Sequence, residues 1–530
     1  MAAMPEKDVV LAHDVERGGD EKARRSSLRN SFGGVVSGHD VNAIEGQIFS
    51  MNDIDPALDG KMRLVNNAIN EIGWTNFHLK MFCLNGFGYM ADSLILVIQS
   101  IISGHAAAEF KPSFPNGLTF AAYAGMLVGA LFWGGGADII GRRFAFNVSL
   151  FVSSVFAIVA GASNSWALLG FFVCMAAFGA GGNLVLDTTV FLEYLPANKQ
   201  WLVTTLASWW GLAPLIPAAF AWPLFTNSKY SCDPTLPETC TRDNNMGWRY
   251  IWFGNGALIL LMSIARVTVV RLKETPKFLL GQGKDEEVVA NLQSIAKRYN
   301  RPCSLTVEKL QACGNITSAH KKGLAESWVH VKGLFATRKL GISTCLIWFS
   351  WTLIGLAYPL FYVFLPQYLA SRGAQTGEGS QYAVWRNYFI SNSVSIFGPI
   401  LAGWMCTTRL GRRYTMVIGA LATMAFFFAY TAVRTASENL GFTCAIYFTV
   451  NVYYGTLYAY SPEVLPSAHR ATGNGIAIAC NRVMGLVSAA VATSANTATS
   501  APIYICAVLY IVMAIVAAIM PFEPYGKSSM

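Results

Sequence analysis

The feature that most constrains this chain is Gly134-Gly-Gly-Ala-Asp138-Ile-Ile-Gly141-Arg142-Arg143, lying between apolar runs at about 118–133 and 144–162. Each run is long enough to approach bilayer thickness, so the charged turn between them must sit at a membrane surface. Asp138 and Arg142 are four apart and pair if the turn is helical. The device recurs: Gly411-Arg412-Arg413 stands at an offset of 270 residues from Gly141-Arg142-Arg143. Glu463-Val-Leu-Pro466 stands at the same offset from Glu193-Tyr-Leu-Pro196. One shift shared by two unrelated motifs marks two homologous halves, an internal repeat of membrane bundles.

Composition agrees. The chain of 530 residues is 53% hydrophobic and only 13% charged, where soluble domains carry roughly a quarter. Its net charge of +9 is explained by basic residues in loops on one side, the positive-inside pattern, so no nucleic-acid partner is expected. Seven of the 11 cysteines fall in apolar runs, where Cys acts as a small hydrophobe. No CxxC or His-rich set, nucleotide loop or catalytic triad is present, so the expectation is no metal, no cofactor and no enzymatic activity. Cys232 and Cys240 flank a Pro-containing loop expected outside, where they can form a disulfide.

The fold class expected is an all-α membrane protein with about twelve transmembrane helices in two pseudo-symmetric six-helix bundles. Residues 1–75 read as a disordered cytosolic tail, with a short stretch at 61–72 able to lie along the inner membrane surface. Arg24-Arg25-Ser26-Ser27 in that tail has the pattern of a kinase target. Residues 76–270 form the N-terminal bundle, 271–339 a basic cytosolic linker, 340–521 the C-terminal bundle and 522–530 a cytosolic tail. The first span is placed at about 79–102, with His78 and His105 at its ends; the seventh, at 340–369, is broken by Pro359 and Pro366. The eighth is placed at 388–407. The sequon Asn315-Ile-Thr317 falls in the linker and is not expected to be used.

Several motifs carry a resemblance. The repeated Gly-Arg-Arg turn resembles the major facilitator superfamily. Arg271-Leu-Lys-Glu-Thr-Pro-Lys-Phe-Leu-Leu280, Tyr460-Ser-Pro-Glu-Val-Leu-Pro466, Arg470-Ala-Thr-Gly473 and Asn481-Arg482 resemble its sugar porters. Gly86-Phe-Gly-Tyr-Met-Ala-Asp92 and Gly355-Leu-Ala-Tyr-Pro-Leu360 resemble the branch that holds synaptic-vesicle-two-related proteins, nicotinate transporters and organic ion transporters. The sequence departs from the pattern twice. Thr408 replaces the acid before the second Gly-Arg-Arg, and Val173 stands where span 4 usually has Arg. The resemblance implies secondary active transport of a small organic solute by alternating access, as a monomer in the lipid bilayer. The plasma membrane is expected, with a vacuolar or vesicular membrane as the alternative. A sugar or polyol symporter, an efflux carrier and a non-transporting sensor are the competing readings.

Asp92 is the leading candidate for proton coupling, because an ionisable group mid-span is costly unless it meets water or a partner. The bland alternative is a structural carboxylate hydrogen-bonded to a neighbouring helix. Asp187 is either a second coupling acid or part of the gate. Arg482 remains protonated and can hold an anion, and the resemblance associates a basic residue there with organic anions. Its alternative role is a charge pair with Glu463 or another acid. Asn85, Gln99 and Asn183 are polar candidates for substrate binding, since lipid contact would leave their amides unpaired. Tyr89, Tyr358, Tyr362 and Trp210 are aromatic candidates, although most membrane aromatics simply pack. By the resemblance, Asp138, Arg142, Arg143, Glu193, Arg412, Arg413, Glu463 and Arg470 form the inner gate.

Overall fold

In hydrocarbon a backbone must satisfy its own polar groups, and the apolar runs do so as helices. The computed structural model describes residues 56–234, 236–270, 272–314, 324–371, 381–467, 469–494 and 501–524. Among them ten helical spans are long and apolar enough to cross a membrane, and Ile503–Ile519 is a shorter apolar helix. The N-terminal set is α2 (Asn76–Phe110), α3 (Gly117–Ile140), α4 (Arg142–Ala160), α5 with α6 (Trp166–Gly181, Asn183–Tyr194), α7 to α9 (Trp201–Leu206, Ser208–Leu212, Leu215–Phe225) and α10 (Gly247–Ala265). Between the sets, α11 (Pro276–Gly281), α12 (Asp285–Arg298), α13 (Val307–Gln311) and α14 (Leu324–Gly333) form the linker. The C-terminal set is α15 (Arg338–Ser371), α16 with α17 (Gln381–Ser395, Phe397–Cys406), α18 (Gly411–Tyr430), α19 (Ala436–Val464), α20 (Arg470–Ser494) and α21 (Ala501–Ile519). No β-strand occurs among the described residues.

The helix α19 is the informative exception to the hydropathy pattern. Every residue from 449 to 464 is buried, and the stretch carries Asn451, Thr456, Ser461, Glu463 and several tyrosines. A helix enclosed by protein on all sides need not be apolar to lipid standards. Its start is fixed by a capping box, with Glu438 N donating to Thr435 Oγ1 and Thr435 N to Glu438 Oε2.

Four expectations are corrected. Residues 56–72 are not disordered tail but a helix, α1 (Pro56–Ile72). Nor does α1 offer its apolar face to a membrane: Leu58, Met62, Val65 and Ile69 are buried with Leu280, Val288, Leu292 and Leu310 of the linker. A buried Lys61–Asp285 pair at 2.6 Å locks this small core. The seventh span is one unbroken helix through Pro359 and Pro366, because neighbouring groups in a bundle can re-satisfy the backbone that proline frees. The first span is longer than expected, with His78 and His105 inside α2. The breaks come elsewhere, at Gly182, at Ala207, before Pro214 and at Ile396. Cys232 and Cys240 are joined by a disulfide in the loop between α9 and α10. The Arg24–Ser27 stretch and the sequon at Asn315 lie outside the described residues.

Candidate functional site

Asp92 of α2 and Arg482 of α20 come from opposite halves and meet directly. Arg482 Nη2 donates to Asp92 Oδ1 at 2.7 Å and to Oδ2 at 2.8 Å. Trp210 Nε1 donates to the same Oδ2 at 3.4 Å. Asp92 has no exposed surface and Arg482 is 5% exposed. The pair is not saturated: Arg482 Nε is buried without a hydrogen-bond partner. The alternative pairing of Arg482 with Glu463 is not formed, since Glu463 belongs to Arg412.

Aromatic rings line this pair. Trp210 stacks with Tyr454 at 6.0 Å and meets Tyr358 edge-on at 5.7 Å. Tyr89, one turn before Asp92, lies 5.7 Å from Tyr458, and its buried hydroxyl has no hydrogen-bond partner. Tyr123 of α3 lies against Gly485 of α20 and, with Tyr458, is within electrostatic reach of Arg482. Tyr362 lies outside the residues whose side chains are described.

Asp187 joins neither the gate nor the central pair. It is bound by Arg266 of the same half, whose Nη2 donates to both carboxylate oxygens at 2.6 and 2.8 Å. Arg266 also donates from Nη1 to Phe146 O at 2.9 Å and to Asn183 Oδ1 at 3.3 Å, and from Nε to Leu84 O at 3.3 Å. The bare Cα of Gly88 makes this approach possible, because a Cβ there would collide with Asp187 Oδ2. Asn183 is thereby committed inside the N-terminal half, with Ser149 Oγ also donating to its Oδ1 at 2.9 Å. Gln99 accepts from Thr119 Oγ1 at 3.4 Å. Asn85 donates to Met81 O at 2.7 Å in its own helix, while its buried Oδ1 has no partner.

At the Arg-bearing end of the bundle the two Gly-Arg-Arg turns behave differently. Gly141 and Gly411 both take positive φ, +101° and +62°, which a side chain would strain. At the first turn Arg142 pairs with Glu193 and with Asp138 at 3.3 Å. It also reaches Ser467 O of the other half at 2.8 Å. Asp138 Oδ2 accepts from Thr472 N and Thr472 Oγ1, both at 2.9 Å, and Arg470 lies 3.5 Å from Glu193. At the second turn Arg412 pairs with Glu463 at 2.8 Å inside its own half, and Thr408 Oγ1 donates to Met405 O. Arg143 and Arg413 use their backbone here: Glu274 accepts from the N–H groups of Arg142 and Arg143, and Glu523 from those of Arg412 and Arg413. A carboxylate at a helix N-terminus complements its dipole.

Outside the spans, two groups are perturbed beside this cluster. Burial, with Arg470 and Arg142 nearby, pushes the Lys277 ammonium well below its ordinary value. Burial and His330 push His469 down to about 4, against the pull of Asp138. The two Nδ1 atoms of His330 and His469 lie 2.8 Å apart.

Sequence reasoning passed over Arg266, Glu274, Glu523, Tyr123, Tyr454 and Tyr458. Arg266 carried a usable signal, a basic residue inside an apolar run. Glu523 carried none, because its role exists only where the chain folds back onto α18.

The Major Facilitator Superfamily model matches residues 81–489. The chain is 39% identical over 511 residues to the MFS siderochrome iron transporter 1 of Ceriporiopsis subvermispora, covering 93% of this chain and 97% of that protein. It is 25% identical to the niacin transporter NiaP of Acinetobacter baylyi, covering 81% and 89%. Among solved structures, the proton:xylose symporter XylE bound to 6-bromo-6-deoxy-D-glucose superposes with a TM-score of 0.62 at 15% identity, covering 86% of this chain and 98% of that one. The last likeness concerns the fold alone.

Proposed function

This chain belongs to the Major Facilitator Superfamily, and we propose that it is a proton-coupled secondary transporter of a small organic anion bearing a carboxylate. The observation that carries this reading is the Asp92–Arg482 pair between the halves. A guanidinium that already holds a carboxylate has the chemistry to hold another, and Asp92 beside it can take the proton. Trp210, Tyr358 and Tyr454 supply flat apolar walls for the rest of the solute. Rocking of the two bundles exposes this site to either side in turn. The bonds from Asp138, Arg142 and Arg470 across the Arg-bearing end are the contacts that break when that side opens. In this proposal Asp187, Asn183 and Gln99 are structural and Asn85 and Tyr89 remain with the binding site. The protein works as a monomer in the plasma membrane, with the linker in the cytosol.

The name of the niacin transporter supports a carboxylate-bearing solute. The name of the siderochrome iron transporter supports a second reading, a larger iron chelate as cargo. The test is uptake into proteoliposomes under an imposed pH gradient, comparing niacin, benzoate, an iron-loaded siderochrome, a hexose and an organic cation. Accumulation of the carboxylates supports the first reading, and accumulation of the siderochrome alone supports the second. Accumulation of the cation or hexose alone overturns both.

A further inference from the structure

We infer that Asp92 is a built-in stand-in for the substrate carboxylate, so that the carrier moves a proton with each carboxylate, carries no net charge across, and can return empty. This rests on the proposed function and adds its stoichiometry and its charge selectivity.

Both oxygens of Asp92 lie on Arg482 Nη2. The groups facing this pair are Trp210, Tyr123, Tyr454, Tyr458 and, on Asp92's own helix, Tyr89. The next carboxylate is Asp187, which acts on Tyr89 and is itself neutralised by Arg266. Among the described residues Asp92 therefore has one cation to balance it. Arg482 still has an unbonded Nε, and Tyr89 an unbonded hydroxyl, beside the same spot.

A solute carboxylate arriving at Arg482 competes with Asp92 for the same N–H groups. Once displaced, Asp92 would be an uncompensated charge at bilayer depth, which is costly. It takes a proton from the aqueous side then open, while Arg482 keeps its own. Asp92 carboxylate plus proton gives the neutral acid, and the solute anion replaces Asp92 on the guanidinium. The empty site holds one anion and one cation; the loaded site holds a neutral acid, the cation and the solute anion. Both sum to zero. Binding of solute without a proton, or of a proton without solute, leaves a net charge in the low-dielectric centre and stalls the carrier. An organic cation would add to the charge of Arg482 and is excluded for the same reason.

The test uses the full chain in proteoliposomes, with niacin and benzoate as probes and the membrane potential clamped by potassium and valinomycin. With a fixed pH gradient, the accumulation ratio should be the same at zero potential and at about 100 mV of either sign. A single net charge per cycle would change it about fifty-fold. Asp92→Asn supplies the second arm. Its loaded site is still neutral, so exchange of labelled for unlabelled niacin should persist. Its empty site holds a lone guanidinium, so net uptake and net efflux should fall at least tenfold below exchange. Voltage-driven accumulation by the unaltered protein, or net flux in Asp92→Asn equal to its exchange, overturns the inference and leaves the proposed function standing. Absence of carboxylate uptake in the unaltered protein removes the proposed function itself. If Asp92→Asn fails to fold, the potential arm decides alone.

Discussion

The buried pairs Asp187–Arg266 and Asp92–Arg482 share their chemistry and differ in what they join. Asp187–Arg266 joins helices of one half, and all three nitrogens of its guanidinium find acceptors. The Phe146 ring covers it at 4.0 Å. Asp92–Arg482 joins opposite halves, and its guanidinium keeps an unbonded Nε. A saturated pair inside one rigid unit is a bolt. In the proposed mechanism, an unsaturated pair between the two halves is a contact built to open. The same contrast holds at the Arg-bearing end, where the first turn bonds across to Ser467 and Thr472 and the second closes on itself.

The largest effect is expected at the bolt. Asp187→Ala leaves Arg266 buried and uncompensated and should cost about 3–5 kcal/mol. Thermal unfolding in detergent reads this directly, and a near-normal Tm would erase the distinction between the two pairs. At the other pair, Asp92→Asn should leave a folded, membrane-delivered protein whose uptake under a pH gradient stops at equilibration. Undiminished uphill uptake would remove Asp92 from coupling.

The two turns give a smaller contrast. Asp138→Ala removes the acceptor of two hydrogen bonds from Thr472 across the halves and the pairing with Arg142. It should raise maleimide labelling of a Ser467→Cys reporter from the Arg-bearing side. The repeat-related Thr408→Ala loses only two bonds within its own segment, to Met405 O and from Leu410 N, and should leave labelling unchanged. Equal labelling in both variants would make the turns equivalent after all.

The mildest effect is one of pH. His469 is held down to about 4, so its neutral form is favoured by the fold. Between an ordinary value of about 6.5 and 4 the unfolded chain binds more protons, so stability rises with pH in that window and is lost on acidification. Protection of residues 324–333 against hydrogen exchange, relative to the intrinsic exchange rate at each pH, should therefore fall as pH drops from 6.5 toward 4, and His469→Gln should flatten the response.

The duplication and the helical class were legible because bilayer thickness and loop charge write themselves into run lengths and spacings. Asp92 and Arg482 were each legible as costly residues at depth, but their pairing was not, because nothing in the spacing of 390 residues brings α2 to α20. The missing Arg at Val173 was the relevant clue: Val173 is buried among apolar neighbours, and the charge partner comes from the other half instead. The pairing of Asp187 with Arg266 was not legible, because nothing in the spacing of the two residues brings α6 to the end of α10. The helix α1 was misread as disordered tail because its apolar face makes sense only against the linker.

The most direct test is a structure of the protein with niacin bound. The account predicts that the niacin carboxylate sits on Arg482, that Asp92 has moved out of hydrogen-bond reach of it, and that Asp187 and Arg266 stay at 2.6–2.8 Å. Niacin bound with Asp92 still on Arg482 at 2.7–2.8 Å would contradict it.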